Sequence, residues 1–187
     1  MRKITLLATA SAMLLATVPA FAEDQTIGAA FHTFDDNFVN LVRNGMIAHA
    51  EDFDGLTLQV ESAKLDVGHQ LDQIQTMIAS GVDALIVLPV DTDGTVAITQ
   101  MAENAGVPLV YVNREPINVD SLPANQAFIA SNEEDSGTMQ TEEVCRLLKE
   151  RGLGDGARIA VLQGQLGNFA ARVRTQDIEN VIATPEC

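Results

Sequence analysis

The sequence predicts an α/β fold built around a doubly wound parallel sheet. Segments with the apolar pattern of strands alternate with segments of helical periodicity, and only short turns separate them. The run 84–88 is apolar throughout, which is typical of a strand that is covered on both faces. Repeated strand–helix units with buried strands indicate a parallel sheet with helices on both faces.

The elements follow one another in a regular order along the chain. Leu56, Leu58 and Val60 alternate with polar residues, as in a half-exposed strand. Turn and N-cap residues at 91–94 precede the third helix, which we expect to end near Gly106. The predicted strands are 26–31, 56–60, 84–88, 107–112, 127–130 and 159–162, the last of them buried. The other predicted helices are 38–50, a segment around 71–77, 136–151 and 169–183.

The first residues carry the pattern of an export signal. Arg2 and Lys3 precede an apolar stretch at 4–18, and Ala20-Phe21-Ala22 has the small residues that signal peptidase accepts. A membrane anchor is the alternative, but the apolar stretch is short for a membrane span. We therefore expect residues 1–22 to be a signal peptide that is cleaved after Ala22, and the remaining chain to be periplasmic.

The charge balance excludes one class of partner. The sequence has 11 basic and 26 acidic residues, which gives a formal net charge of −15. A surface this acidic repels nucleic acid, so we expect no nucleic-acid partner.

Two cysteines, Cys145 and Cys187, lie far apart in the sequence and lack the spacing of metal ligands. In an oxidising compartment such a pair can form a disulfide, whereas two independent buried thiols are the alternative. We favour the disulfide because both residues fall in the later part of the chain.

Three polar loops follow predicted strands, at 35–38, 113–114 and 164–174. In doubly wound sheets, ligands bind beyond the carboxyl ends of the strands, so these loops are expected to form a site. Carboxylates and amides pair with hydroxyl groups, arginine supplies forked donors, and an aromatic ring packs on the C–H face of a sugar. The candidate ligand-binding residues are Asp36, Phe38, Asn113, Arg114 and Arg174, with Asp35 and Asn168 as additional candidates.

Each candidate also has an ordinary structural explanation. Asp36 is placed to cap the following helix, and Phe38 to begin its apolar face. Arg114 can pair with Glu115 on the surface, and Arg174 can be a solvated helix residue. The sequence carries no recognisable nucleophile, base or metal constellation, and so we expect no enzyme activity, no cofactor and no metal site.

The same loops carry a family resemblance. Five segments, taken in order, are specific in combination: 35–38, 87–91, 111–116, 129–132 and 162–174. Through them the chain resembles type I periplasmic binding proteins of the ribose, galactose and inositol branch. The tract 110–148 is most similar to the inositol- and rhizopine-binding proteins of ABC transporters.

The resemblance implies two lobes that close on a sugar or polyol and dock on an inner-membrane ABC permease. It divides the chain into an N-terminal lobe at 23–131 and the first part of a second lobe at 132–187, which is incomplete, so this piece alone should bind ligand poorly. In the family, residues matching Asp36, Asn113 and Arg174 bond hydroxyls, the one matching Phe38 stacks on the ring, and ribose binders use an arginine where Arg114 stands. A periplasmic sensor that presents its ligand to a chemoreceptor or histidine kinase is the alternative function.

Two departures from the family pattern bear on ligand and metal. Galactose binders carry aspartate where this chain has Ala170 and histidine where it has Asn168, which argues against galactose. The calcium loop of those proteins corresponds to 152–156, where Asp155 is the only acidic residue, so calcium is not expected there.

Overall fold

Five parallel strands form one sheet in the computed structural model, which describes residues 24–154 and 156–187. The strands are β1 (Gln25–Phe31), β2 (Leu56–Ser62), β3 (Ala84–Leu88), β4 (Leu109–Val112) and β5 (Gln126–Ile129). Their order across the sheet is β2-β1-β3-β4-β5, and every neighbouring pair is parallel. The predicted doubly wound α/β fold is therefore confirmed.

The helices are α1 (Asn37–Ala50), α2 (Val67–Ser80), α3 (Thr95–Ala105), α4 (Glu133–Glu150) and α5 (Phe169–Ile182), with a short 3₁₀ turn at Val119–Ser121. No helix in the described part of the chain is long and apolar enough to cross a membrane. The predicted signal peptide lies outside the described residues.

The core has one layer on each face of the sheet. On one face, Ile74 and Met77 of α2 and Ala102 of α3 pack against strand residues such as Leu85 and Leu109. On the other face, Val39 of α1 packs against Ala29, Phe31 and Leu88. Because side chains alternate along each strand, β1 and β3 supply residues to both layers, which is why β3 is apolar throughout and β1 has no polar side chain from Ile27 onwards.

Helix α1 faces the sheet differently from the apolar pattern used to predict it. Of the four apolar residues at helical spacing, Val42 and Met46 pack on the core, but Phe38 and Leu41 are 54% and 72% exposed. Val39 takes the buried position instead. The N-cap sets this rotation, since the Asp36 carboxylate accepts a hydrogen bond from the Val39 amide at 3.1 Å.

Helix α4 begins three residues before the predicted start, because Asn132 caps it. The Asn132 side chain accepts hydrogen bonds from the amides of Glu134 and Asp135 at 3.0 and 3.4 Å. Acidic residues in the first turn are favoured by the helix dipole. The extra turn places Glu133 on the same buried stripe as Gly137 and Thr141.

The prediction of a buried strand at 159–162 is wrong. The segment forms no strand, and Ile159, Val161 and Leu162 are all exposed, Leu162 by 98%. An apolar run indicates that a segment is suited to burial. A strand also needs a neighbouring strand that forms hydrogen bonds with its backbone N–H and C=O groups. No other segment among residues 24–154 and 156–187 pairs with this one.

Helices α4 and α5 pack against each other. A Cβ atom added at Gly137 of α4 would lie 2.9 Å from the Asp177 Cβ and 3.2 Å from the Arg174 Cα on α5. Thr138 donates a hydrogen bond to the Asp177 carboxylate at 2.7 Å. A disulfide joins Cys145 of α4 to Cys187 after α5, with the Cα atoms 5.2 Å apart.

A single buried side chain organises the carboxyl end of the central strand. Gln70 of α2 donates hydrogen bonds to the carbonyls of Ala30 and Leu88, at 3.4 and 3.0 Å, and accepts one from the Val90 amide at 2.8 Å. It thus satisfies backbone groups at the ends of β1 and β3, where the sheet hydrogen bonding stops.

We predict that Gln70→Leu lowers the free energy of unfolding by about 2–4 kcal/mol, because it leaves buried backbone groups of Leu88 and Val90 without partners. Urea unfolding measures the loss. The control is Gln73→Leu on the same helix, which removes a bond to the Ser62 carbonyl and a buried amide oxygen that has no partner. Equal losses in the two variants would contradict the role assigned to Gln70.

A second prediction concerns the disulfide. Cys145 and Cys187 are 42 residues apart, and closing a loop of that length contributes about 4 kcal/mol in the chain-entropy model. Intact-mass spectrometry should find the exported protein two hydrogens lighter before reduction than after it. A Cys145→Ser/Cys187→Ser variant should lose about 2–4 kcal/mol of stability. Two free thiols in the exported protein would contradict the pairing.

Candidate functional site

A cleft of about 590 Å³ lies between the carboxyl end of the sheet and helices α4 and α5. Residues from all three predicted loops line it, together with the start of α4. The lining includes Phe38, Asn113, Ser131, Glu133, Asn168 and Arg174. The sequence prediction that these loops converge agrees with this geometry, although Asp35, Asp36 and Arg114 are not among the lining residues.

The loop after β1 contributes Phe38 through the geometry of the helix start. Asp36 caps α1, and Phe38 stands in the first turn, with about half of its surface exposed towards the cleft. Phe38 is therefore not a core residue. One oxygen of the Asp36 carboxylate holds the cap, and the residue is exposed, so the second oxygen is free to accept a further hydrogen bond.

The loop after β4 begins at Asn113, which adopts a left-handed backbone conformation with φ of 66°. Asparagine tolerates this region better than most residues. Its amide donates to the Ile129 carbonyl at 3.0 Å, which ties the end of β4 to β5. The turn places the side-chain amide, which can both donate and accept, on the wall of the cleft.

Arg114 lies behind the cleft wall and is not a surface partner of Glu115. Its guanidinium donates to the Pro89 and Val90 carbonyls at 3.2 and 2.6 Å, and to the Gln165 side chain at 3.1 Å. Burial lowers the pKa of Arg114, while the charges of Asp36 and Asp91 act in the opposite direction. Arginine stays protonated even so, and Arg114 places a fixed positive charge beside Asp36.

The loop before α5 also contacts the turn that follows β3. The amide and hydroxyl of Thr92 both donate to the Gly167 carbonyl at 3.2 Å. A Cβ atom at position 167 would lie 2.5 Å from the Asp91 carboxylate, so a larger residue here would have to displace the Asp91 side chain. Together with the Arg114–Gln165 bond, this contact fixes one wall of the cleft relative to the other.

Arg174 of α5 pairs with Glu133 of α4 across the floor of the cleft. Its Nε donates to Glu133 Oε2 at 2.5 Å, and Ser131 donates to the other carboxylate oxygen at 3.3 Å. The Glu133 side chain is 7% exposed and that of Arg174 is 42% exposed. Sequence reasoning missed Glu133, because its partner lies 41 residues away and no local pattern announces the pair.

Two further polar residues are Asn168, on the cleft, and His32, at the end of β1. Asn168 caps α5 by accepting from the Ala170 amide at 3.1 Å, and it also lines the cleft. His32, at the end of β1, is 4% exposed, and its Nδ1 has no hydrogen-bond partner. Burial and the charge of Arg114 lower the pKa of His32 to about 4, with Asp36 opposing them, so its imidazole is neutral at pH 7.

No group of three or more potential metal ligands comes together among the described residues. The polar groups of the cleft are instead suited to a ligand rich in hydroxyls, with an aromatic ring on one side and amide and guanidinium groups on the others.

Comparison with known proteins agrees with this arrangement. Residues 27–187 match the family profile described as the periplasmic binding protein domain. The chain therefore belongs to this family.

Among curated proteins, it is 53% identical over 178 residues to a protein of Rhizobium meliloti that is provisionally named rhizopine-binding; the match covers 95% of this chain and 55% of that protein. It is 28% identical over 158 residues to the ribose import binding protein of Bacillus subtilis, covering 83% of this chain and 48% of the relative.

A solved structure gives the same match in three dimensions. It is an ABC transporter solute binding protein from Bacillus halodurans with bound myo-inositol, and it superposes with a TM-score of 0.78 at 30% sequence identity. The superposition covers 87% of this chain and 54% of that one. The chain thus spans about half the length of the relatives it matches.

The environment of His32 predicts a pH dependence of stability. Its pKa in the folded chain, about 4, is below its ordinary value of 6.5, so folding disfavours protonation. Keeping the imidazole of His32 neutral therefore contributes fully to the free energy of unfolding above pH 6.5, and this contribution is lost as the pH falls towards 4. The difference corresponds to about 3 kcal/mol.

We predict that His32→Gln reduces the loss of stability between pH 7 and pH 4 by about 2–3 kcal/mol. Denaturant unfolding at several pH values measures the slope. His49→Gln, which removes an exposed histidine, shows how much of the change comes from losing any histidine. An unchanged slope in His32→Gln would contradict the assignment.

Proposed function

We propose that this chain is part of the substrate-binding component of an ABC uptake transporter, and that it binds a monosaccharide or cyclic polyol of the inositol class in the cleft. The observation that carries the proposal is the set of cleft residues: Phe38, Asn113, Asn168 and Arg174 meet there from three separate segments of the chain. The named relatives bind or import compounds of this class, which supports the same chemistry here.

The chemistry of the cleft suits a ring with hydroxyl substituents. The half-exposed Phe38 ring offers an apolar face for C–H groups. The amides of Asn113 and Asn168 donate and accept, as hydroxyls do. Arg174 uses its Nε for Glu133, which leaves its terminal nitrogens to donate to the ligand. Asp35 and Asp36 are exposed in the same loop as Phe38, and in this proposal they add carboxylate acceptors when the lobes close on the ligand.

The boundary between the lobes falls, in this proposal, at residues 131–132. Strands β1 to β5 and helices α1 to α3 belong to an N-terminal lobe at 23–131, and α4 and α5 belong to a second lobe at 132–187. Ligand between the lobes stabilises their closed arrangement, in the hinge manner of two-lobed binding proteins. The partner of the closed form is an inner-membrane ABC permease, and the compartment is the periplasm.

The relatives favour transport over the other functions considered. They are named as binding proteins and not as enzymes, and two of those described above are named for import or for an ABC transporter. No observation on this chain favours a chemoreceptor or histidine kinase as its partner, so the sensor function is not proposed.

Calorimetric titration of the protein expressed from its gene with myo-inositol, ribose and galactose tests the proposal. We expect one of the three to bind, and Asp36→Ala to weaken that binding by about tenfold or more, because a charged hydrogen bond contributes about 1.5–3 kcal/mol.

The matched control for this titration is Asp66→Ala. Asp66 caps α2 as Asp36 caps α1, accepting from the His69 amide at 2.8 Å, but it lies outside the three candidate loops, and the residue two positions after it does not line the cleft as Phe38 does. Both variants lose about 1 kcal/mol of helix capping, and only Asp36→Ala should lose affinity. Absence of heat with all three ligands would reject the ligand class, and equal losses in both variants would reduce Asp36 to a helix cap.

A further inference from the structure

The least expected group in the cleft is the carboxylate of Glu133. It is almost fully buried, and yet it lines a cavity that is otherwise suited to hydroxyl groups. A buried carboxylate is costly unless it is paired, and here Arg174 and Ser131 supply the partners. The pair therefore belongs to the resting structure of the cleft and does not wait for a ligand.

We propose that Glu133 is the positioning and specificity residue of this cleft: it holds the Arg174 guanidinium in place and cancels its charge, so that the cleft accepts uncharged polyols and rejects anionic ones. The inference rests on the proposed function and deepens it by naming the charge class of the ligand.

The positioning role follows from how α4 and α5 cross. Glu133 and Gly137 are one helical turn apart on α4, and Gly137 lets the backbone at Arg174 come close. The bond to Nε then fixes the plane of the guanidinium, whose fork of donors is rigid. The terminal nitrogens are thereby aimed without further loss of side-chain freedom when a ligand binds.

The specificity role follows from the surrounding charges. Arg174 is the one cation among the residues that line the described cleft, and Glu133 neutralises it. The neighbouring cation, Arg114, faces carbonyl oxygens and lies close to Asp36 and Asp91. Glu115 adds a further acidic group within range of Glu133. A phosphate or carboxylate on the ligand would thus lose its water without gaining an unpaired positive charge.

The test compares neutral and anionic members of three pairs: galactose with galacturonate, ribose with ribose 5-phosphate, and myo-inositol with inositol 1-phosphate. Calorimetry is carried out on the protein expressed from its gene. For whichever pair binds, the affinity for the neutral member should exceed that for the anionic member by about 100-fold or more. Glu133→Gln keeps the size and one acceptor but removes the charge, and it should reduce that preference by about tenfold or more.

Two further variants separate the two roles. Glu133→Asp keeps the negative charge, but the shorter side chain moves the carboxylate away from the Nε of Arg174. This variant should therefore bind the neutral member more weakly and still reject the anionic one. Glu134→Gln removes the same charge from the exposed neighbouring residue and should leave both affinities unchanged. A preference that is unaltered in Glu133→Gln, or altered equally in Glu134→Gln, would overturn the inference.

A failure of the proposed function can be told apart from a failure of the inference about Glu133. If no neutral member binds the wild-type protein, the ligand class is wrong, and sodium sulfate serves as the probe of the cleft charge. Sulfate binding to Glu133→Gln but not to the wild type would still support the inference about charge, whereas no sulfate binding to either would overturn it.

Discussion

The arrangement of the cleft depends on how the backbone hydrogen-bonding groups at the carboxyl end of β3 find partners. Beyond Leu88 the central strand leaves the sheet, and its backbone groups must find partners in a largely buried place. Gln70 takes the Leu88 carbonyl and the Val90 amide, and Arg114 takes the carbonyls of Pro89 and Val90. Because these partners come from α2 and from the loop after β4, the strand end, the helix and that loop are held in one geometry.

The same requirement connects the sheet to the later helices. Arg114 also donates to Gln165 through Nη2, and the turn after β3 bonds to Gly167 through Thr92. Both contacts lie in the loop that leads into α5, so the position of Arg174 on that helix is linked to the strand ends. The walls of the cleft come from distant segments, and a few hydrogen bonds from side chains at the strand ends set the distance between them.

Much of this architecture is predictable from the sequence because it is encoded locally. The apolar run of β3, the alternation in β2 and the capping aspartate before α1 are patterns within a few residues, and the structure has each of them in place. The convergence of the first two loops is predictable too, since β1 and β4 are parallel strands of one sheet and end at a common edge. The third loop follows no strand of the sheet and reaches the same edge through the bonds from Arg114 to Gln165 and from Thr92 to Gly167. The failures concern long-range pairing. The segment 159–162 has a strand-like pattern but no paired neighbour among the described residues, and Arg114 and Glu133 bond to residues that lie 24 to 51 positions away, the nearby Ser131 excepted.

The two arginines illustrate why residue type alone does not assign a role. In the sequence both follow strands and both could donate to a polyol. Arg114 donates to carbonyls and to Gln165, so its contribution to the cleft is a buried positive charge close to Asp36 and Asp91. Arg174 shares one donor with Glu133 and keeps its terminal nitrogens for other partners. Since the same guanidinium can serve as a structural clamp or as a recognition group, its donors must be traced to their acceptors before a function is assigned to it, and here that tracing leaves Arg174 as the arginine that can meet a ligand directly.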